Sequence, residues 1–467
     1  MMKYLIIGVL VFAVIAGFLF WKFGPSFNKK PPEKIPVTLT IWGLWEEEAL
    51  MKPAIDEYKK IKPDVTVVYQ FQSSQNYRTR TQTKITANEG PDIYMINNTW
   101  TAMFLKSGSI YPAPKEDFTP QEFSQTFYPV VRDDFTNYPA IKAAVDSAAN
   151  IADKNKTIQE QFNAQGKIYA IPRGIDGLAL YVNMDLLNAA GLSLPKSWNE
   201  FRDEAFKLTV ADQNNVIKTS GASIGTTGNV DHWPDIIGLL FLQQPGAKID
   251  SPADSNGGDV LRFYTDFAKV SDKRVWDNTF ENSTQAFAAG KVAFYFGLSW
   301  RAHELRQMNP KLNFKIIPAP QLAGKQVAWA NYWGYTVSSK SKFPLEAWDF
   351  LKFLTSAETE KLLYREAAKT RLYGLPYSRV DLQKELINDP LVGAFVAQGP
   401  YYKSWYLNST TRDQGLNDEM IKYYEDAVNG VFNNSDPQSV LSVTSKGIQQ
   451  VLDKYVRPNK PVASPQK

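Results

Sequence analysis

The chain has 467 residues, a formal net charge of +4, 44% hydrophobic and 13% aromatic residues, no cysteine and two histidines. The lack of cysteine removes disulfides, thiolate nucleophiles, thiolate metal sites and any lipid-carrying cysteine, and His232 and His303 alone cannot build an imidazole-rich metal centre. The 52 basic and 48 acidic residues form no basic block, which leaves nucleic acid without an electrostatic footprint, and the apolar content excludes disorder as the main state.

Residues 5–21 are an uncharged run of 17 residues between Lys3 and Lys22. The run is just long enough for a bilayer core and ends in Phe18-Leu-Phe-Trp21 where a secretory signal would carry a small-residue cleavage site. An uncleaved transmembrane helix over residues 1–23 is therefore expected, with the folded domain outside the cytoplasm, although Lys22, Lys29, Lys30 and Lys34 oppose the usual charge bias. Residues 24–36 hold four prolines and no apolar period, so they read as an extended tether.

Val37-Thr-Leu-Thr-Ile41 alternates with period two, residues 49–60 have helical spacing, and residues 65–71 alternate again. Residues 93–96 form a further strand after the turn Glu89-Gly-Pro-Asp92. Thr119-Pro-Gln-Glu122 and Ser197-Trp-Asn-Glu200 are capping boxes, the second lying just after Gly191 closes a helix over residues 184–190. Ala347, Trp348, Leu351 and Leu354 mark one helical face. Leu441, Ile448, Val451, Leu452 and Tyr455, with Thr444 the polar exception, mark the last one. Strands alternating with helices predict an α/β architecture with parallel sheets.

Nine short motifs stand in one order: Leu39-Thr-Ile-Trp42, Gly90-Pro-Asp-Ile-Tyr94, Gly108-Ser-Ile110, Gly166-Lys-Ile-Tyr-Ala-Ile-Pro172, Leu180-Tyr-Val-Asn-Met-Asp-Leu186, Ala190-Gly-Leu192, Trp198-Asn-Glu-Phe201, Phe287-Ala-Ala-Gly-Lys-Val-Ala293 and Ala347-Trp-Asp-Phe-Leu-Lys-Phe-Leu354. Between about residues 37 and 455 the chain thereby resembles the extracytoplasmic solute-binding proteins of ABC importers, family 1, the group of maltose- and oligosaccharide-binding proteins. The resemblance implies a two-lobe periplasmic-binding-protein-like fold with three interlobe crossovers, a ligand in the cleft, and lobe closure that signals to the transmembrane subunits of an ABC permease. It places the crossovers near residues 171–177, 317–322 and 371–376, lobe 1 at 37–172 with 320–372, lobe 2 at 173–319 with 373–458, and a disordered tail at 459–467. A monomer without cofactor or metal is expected. The chain departs from the family in lacking a lipid-carrying cysteine and keeping the apolar run.

A sugar offers C–H faces and hydroxyls, so its site needs aromatic rings and planar polar groups. Trp42 and Trp45 lie where the first strand gives way to a helix, at the edge that borders the crevice of open α/β sheets, although core packing of one is the alternative. Glu46, Glu47 and Glu48 read as a solvated first helical turn. Asn97 and Trp100 follow the strand at 93–96, with helix capping the alternative for the asparagine, and Ser74 follows the strand at 65–71. Trp300 follows a strand at 292–296, where the resembling proteins often place an aromatic on the sugar, and Tyr332 and Trp333 fall in a segment that commonly lines their cleft. Trp233 is a candidate beside Pro234, or else packs a helix start; Trp198 and Trp348 belong to the core. Arg173 and Asp176 lie in the first crossover, either as ligand contacts or as a mutual salt bridge, with Gly174 and Gly177 giving the backbone room.

Gly221-Ala-Ser-Ile-Gly225 matches the nucleophile-elbow pattern, but residues 212–218 are too polar for the strand that pattern needs, so it reads as a loop and no enzyme is expected. No pair of carboxylates is singled out for glycoside hydrolysis. The candidate loops offer mainly Trp, Tyr, Asn and Ser with one Arg and one Asp, which favours a neutral polyol; a non-sugar solute, or a sensor subunit without transport, is the competing reading.

Overall fold

A computed structural model describes residues 2–23, 36–269 and 273–458; the expected tether, apart from Pro36, and the tail at 459–467 lie outside them. Met2–Phe23 is a 22-residue helix belonging to a unit separate from residues 38–467. The expected transmembrane span is not supported: among the described residues no helix is long and apolar enough to cross a membrane.

From Val37 on, Val37–Gly43 (β1), Val65–Phe71 (β2), Ile93–Asn97 (β3), Ile110–Tyr111 (β4) and Ile171–Pro172 (β5) join Trp333–Ser338 (β12) in one sheet of order β2-β1-β3-β12-β4, with β5 on β12. Ala179–Asn183 (β6), Val210–Ala211 (β7), Ile217–Ala222 (β8), Val292–Gly297 (β9) and Phe314–Pro318 (β10) build a second of order β10-β6-β9-β8-β7. Ala328–Trp329 (β11) pairs with Tyr402–Lys403 (β13). Every residue of β3, β6 and β9 is buried, as expected of apolar runs covered on both faces.

The sheets are mixed, not parallel throughout. β12 runs antiparallel to β3, β4 and β5, and β6 antiparallel to β9 and β10, while β1–β3 and β8–β9 are parallel. Strands that return from the other sheet enter from the opposite side, a consequence of chain routing that local periodicity does not carry. Helices Glu48–Ile61, Pro344–Leu354 and Ala357–Thr370 pack about the first sheet. Trp198–Leu208 and Ser283–Ala288 cover the second, beside a bundle of Trp233–Gln243, Gly257–Asp266, Leu416–Phe432 and Pro437–Tyr455.

Local signals act where expected. Ser197 and Glu200 close a reciprocal capping box, and Thr119 accepts from the Glu122 amide. Trp198 and Trp348 are core, their indole N–H groups donating to Gln243 and to the Tyr111 carbonyl. One expectation fails: β8 does precede Ser223, which is buried with its hydroxyl turned to the Phe294 carbonyl at 3.4 Å and no helix following at once. The residue stays a structural serine, not a nucleophile elbow.

Candidate functional site

The chain passes between the sheets from β5 to β6 and from β10 to β12. A third stretch, 371–382, leads from helix Ala357–Thr370 beside the first sheet to Gly393–Gln398 on β10. The second passage runs from Pro318 to Trp333 and contains β11, longer than the 317–322 expected. Backbone bonds stitch the three together: Arg173 N to Trp333 O (2.9 Å), Ile175 N to Pro376 O (2.9 Å), Leu178 N to Trp329 O (2.9 Å) and Asn331 N to Asp176 O (3.0 Å). Gly177 is required by close approach, since a Cβ there would lie 2.2 Å from the Trp329 carbonyl oxygen.

Arg173 and Asp176 do not pair with each other. Arg173 Nε donates to Glu46 Oε2 at 2.7 Å, both side chains being buried, so Glu46 is an interior counter-ion and not part of a solvated first turn. Asp176 accepts from the Ser299 amide (2.9 Å), the Ser299 hydroxyl (2.8 Å) and the Gly177 amide (2.8 Å), which ties the first passage to the loop after β9. Burial pushes its carboxyl up to about 7, against the pull of those bonds.

Two partly exposed indoles stand on loops that follow strands of opposite sheets. Trp45, in the loop after β1, is 48% exposed with φ of 66°, a left-handed backbone that a bulky residue seldom adopts. Its ring meets that of half-buried Trp333 edge-on at 5.8 Å, and Trp333 in turn meets buried Trp100 at 5.0 Å. Trp333 is placed there because it pairs with Asn97 at the carboxyl end of β3. Trp300, after β9, is 39% exposed, with the Arg301 guanidinium 4.2 Å from its ring centroid. Residues 371–373 span the gap: Arg371 donates to the Trp45 carbonyl (3.1 Å), and the Tyr373 hydroxyl donates to the Ser299 carbonyl.

The other candidates are buried or hydrogen-bonded to neighbouring groups of the fold. Trp100 is buried with Nε1 on Asp413 (3.1 Å), and Trp233 is buried in the first turn of its helix. Asn97 is buried: it donates to the Tyr332 carbonyl, while its own oxygen accepts from the Thr99 amide, the Thr99 hydroxyl and Asn408. Buried Tyr332 donates to Asp134 at 2.8 Å. Half-buried Trp42 donates to Gln70 (2.9 Å) on β2, and half-buried Ser74 offers its carbonyl to the Tyr77 amide.

Sequence reasoning missed the loop between β13 and Leu416. Asn408 bridges Asn97 and Asn98, Asn417 binds Thr99 and Asp413, and Ser404 donates to Asp134. Burial pushes Asp134 up to about 7, opposed by Ser404, Asn98 and Tyr332. The density of amides and hydroxyls in Asn408-Ser-Thr-Thr-Arg-Asp-Gln-Gly-Leu-Asn417 was the available signal. His232 was missed as well. Arg301 Nε donates to its Nε2 at 3.0 Å, and its Nδ1 lies 3.1 Å from the Ser409 hydroxyl and 3.4 Å from Asp235. Asp235 in turn holds Trp329 and Asn331.

Among the described residues no group of three or more His, Asp or Glu side chains is placed to hold a metal. A recess of about 380 Å³ bordered by Thr226, Thr227, Gly228, Asn229, Asn278, Asn429 and Phe432 contains none of the candidate residues.

Two α/β lobes with the chain crossing between them three times define a class, the two-lobe binding proteins. The family profile described as bacterial extracellular solute-binding protein matches residues 44–361, and the chain belongs to that family. It is 24% identical over 259 residues to the maltodextrin-binding protein MdxE of Bacillus subtilis, covering 52% of this chain and 58% of that protein. It is 22% identical over 335 residues to the multiple sugar-binding protein of Streptococcus mutans, covering 68% of this chain and 71% of that protein. The solved sugar-binding protein MalE of Xanthomonas citri superposes with a TM-score of 0.67 at 18% identity, over 90% of this chain and 98% of that one. The chain thus spans under two thirds of the length of the Bacillus protein, and the structural likeness establishes the two-lobe fold.

Proposed function

We propose that the protein is an extracytoplasmic solute-binding protein that captures a carbohydrate between its lobes and delivers it to the permease of an ABC importer. The observation that carries this reading is the pair of half-exposed indoles, Trp45 and Trp300, held on loops of opposite sheets and joined by residues 371–373. An indole face suits the C–H patches of a pyranose, and backing by Trp333 and Arg301 keeps each ring in place for stacking. The names of the relatives support the ligand class: maltodextrin and multiple sugars for the proteins above, and mannotriose for a bound structure that is 23% identical with a TM-score of 0.59.

Lobe 1 is assigned to residues 37–172 with 320–372 and lobe 2 to 173–319 with 373–458, acting as a monomer. Direct ligand contact falls to Trp45, Trp300 and Trp333; Trp42, Ser74 and Asp176 are peripheral, and Arg173, Asn97, Trp100, Trp233 and Tyr332 support the site from behind. A membrane span is not proposed, since no helix among the described residues is long and apolar enough to cross a membrane. Tryptophan fluorescence titration against mono- and oligosaccharides tests the reading. A saturable response to a sugar is expected, whereas silence to every sugar with a response to peptides would replace it.

A further inference from the structure

The cationic side chains around the two indoles are not equivalent. Arg173 is consumed by Glu46 at 2.7 Å. Arg301 is bracketed by Glu304 (2.6 Å) and Asp231 (3.6 Å), besides its bond to His232. Arg78 is taken up by the Asp413 and Gln414 carbonyls and by Gln82. Arg371 differs: it is half-buried, forms no ion pair among the described residues, and engages one of its five N–H donors, on the Trp45 carbonyl at 3.1 Å. That bond ties the guanidinium to the backbone of Trp45, a residue that is 48% exposed.

Its position is set from both sides. Arg371 is the residue that ends helix Ala357–Thr370, so its backbone is anchored on the first sheet's layer. Two residues on, Tyr373 stacks on His303 at 4.0 Å and reaches the carbonyl of Ser299, the neighbour of Trp300. The charge reaches this far: His303 is pushed down to about 4, first by burial and then by Arg371. Glu46, the carboxylate next to Trp45 in the chain, is already committed to Arg173. Arg371 therefore brings to the Trp45 loop a positive charge that no ion pair among the described residues offsets, with planar, divergent donors of the kind that match a carboxylate in bidentate fashion.

We propose that Arg371 is a ligand-binding residue that selects acidic sugars, those bearing a carboxylate on a ring stacked at Trp45, over their neutral counterparts. This rests on the carbohydrate reading and narrows it, against the neutral polyol that the composition of the candidate loops favours. The test is isothermal titration calorimetry of the full chain with matched disaccharides of the gluco, galacto and manno series, each as the neutral sugar and as the uronate. At least one uronate is expected to bind about tenfold or more tighter than its neutral twin, with that advantage shrinking as salt rises from 20 mM to about 500 mM. Arg371→Gln should abolish the advantage by weakening uronates about tenfold more than their neutral twins, and Arg371→Lys should restore part of it. Neutral sugars bound as well as or better than every uronate, or Arg371→Gln weakening both alike, would overturn the proposal while leaving the carbohydrate reading intact. Binding of no sugar at all would overturn both.

Discussion

Arg173 Nε and Glu46 Oε2 lie 2.7 Å apart with the two side chains 7% and 2% exposed, a buried ion pair between the first interlobe passage and the loop after β1. Removing one partner strands a charge in the interior, so Glu46→Ala should cost about 3–5 kcal/mol of stability. Replacing both, as Glu46→Leu with Arg173→Met, should cost far less than the sum of the two single changes. Urea unfolding of the two single variants and the double variant checks this. Additive losses would show that the pair contributes nothing as a pair.

The stitched passages make a second point. A Cβ at Gly177 would meet the Trp329 carbonyl at 2.2 Å and the Tyr402 ring at 2.4 Å, and neither the backbone nor a buried ring can yield freely. Gly177→Ala should lower stability by about 1–3 kcal/mol. Gly228→Ala, where Asn278 at 4.0 Å is the one neighbour within reach, should have almost no effect. Thermal unfolding of the two variants gives the comparison.

Glu360 is buried and bonded by Ser378 through one oxygen at 2.7 Å, while the other has no partner. Burial pushes its carboxyl up to about 7, with Ser378, Arg379 and Arg173 pulling the other way. A carboxyl raised in the fold binds its proton more tightly there than in the unfolded chain. It therefore contributes its full stability below the unfolded value near 4.3, and loses that contribution as pH rises toward about 7. Glu360→Gln removes the titration: the variant should match the wild type near pH 4 and be more stable above pH 7. Unfolding free energies measured from pH 4 to pH 8 test the sign, and an unchanged pH profile would refute the assignment.

What could be seen in the sequence depended on range. Strands β1, β2 and β3 and the capping box at Ser197 announce themselves within a few residues, because period, caps and turns are local. Trp45 and Trp300 stand out in the sequence as candidates because each closely follows a strand, one in each sheet. Trp100 looked identical in sequence, yet its indole is claimed by Asp413, 313 positions away, and Asn97 by Asn408, 311 away. Glu46 misled for the same reason. A glutamate at a helix start is ordinarily solvated, and the buried arginine that draws it inward lies 127 positions on. The antiparallel return of β12 into the first sheet is likewise a property of routing.

The central claim is capture of a carbohydrate between two aromatic faces, and Trp300→Ala tests it most directly. The ring is 39% exposed and packs on Arg301 rather than in the core, so its removal should leave the unfolding transition near that of the wild type. Calorimetric titration with the sugar that binds the wild type best should show affinity reduced about 5- to 30-fold, the loss of about 1–2 kcal/mol of stacking. A folded Trp300→Ala variant that binds that sugar with undiminished affinity would contradict the account.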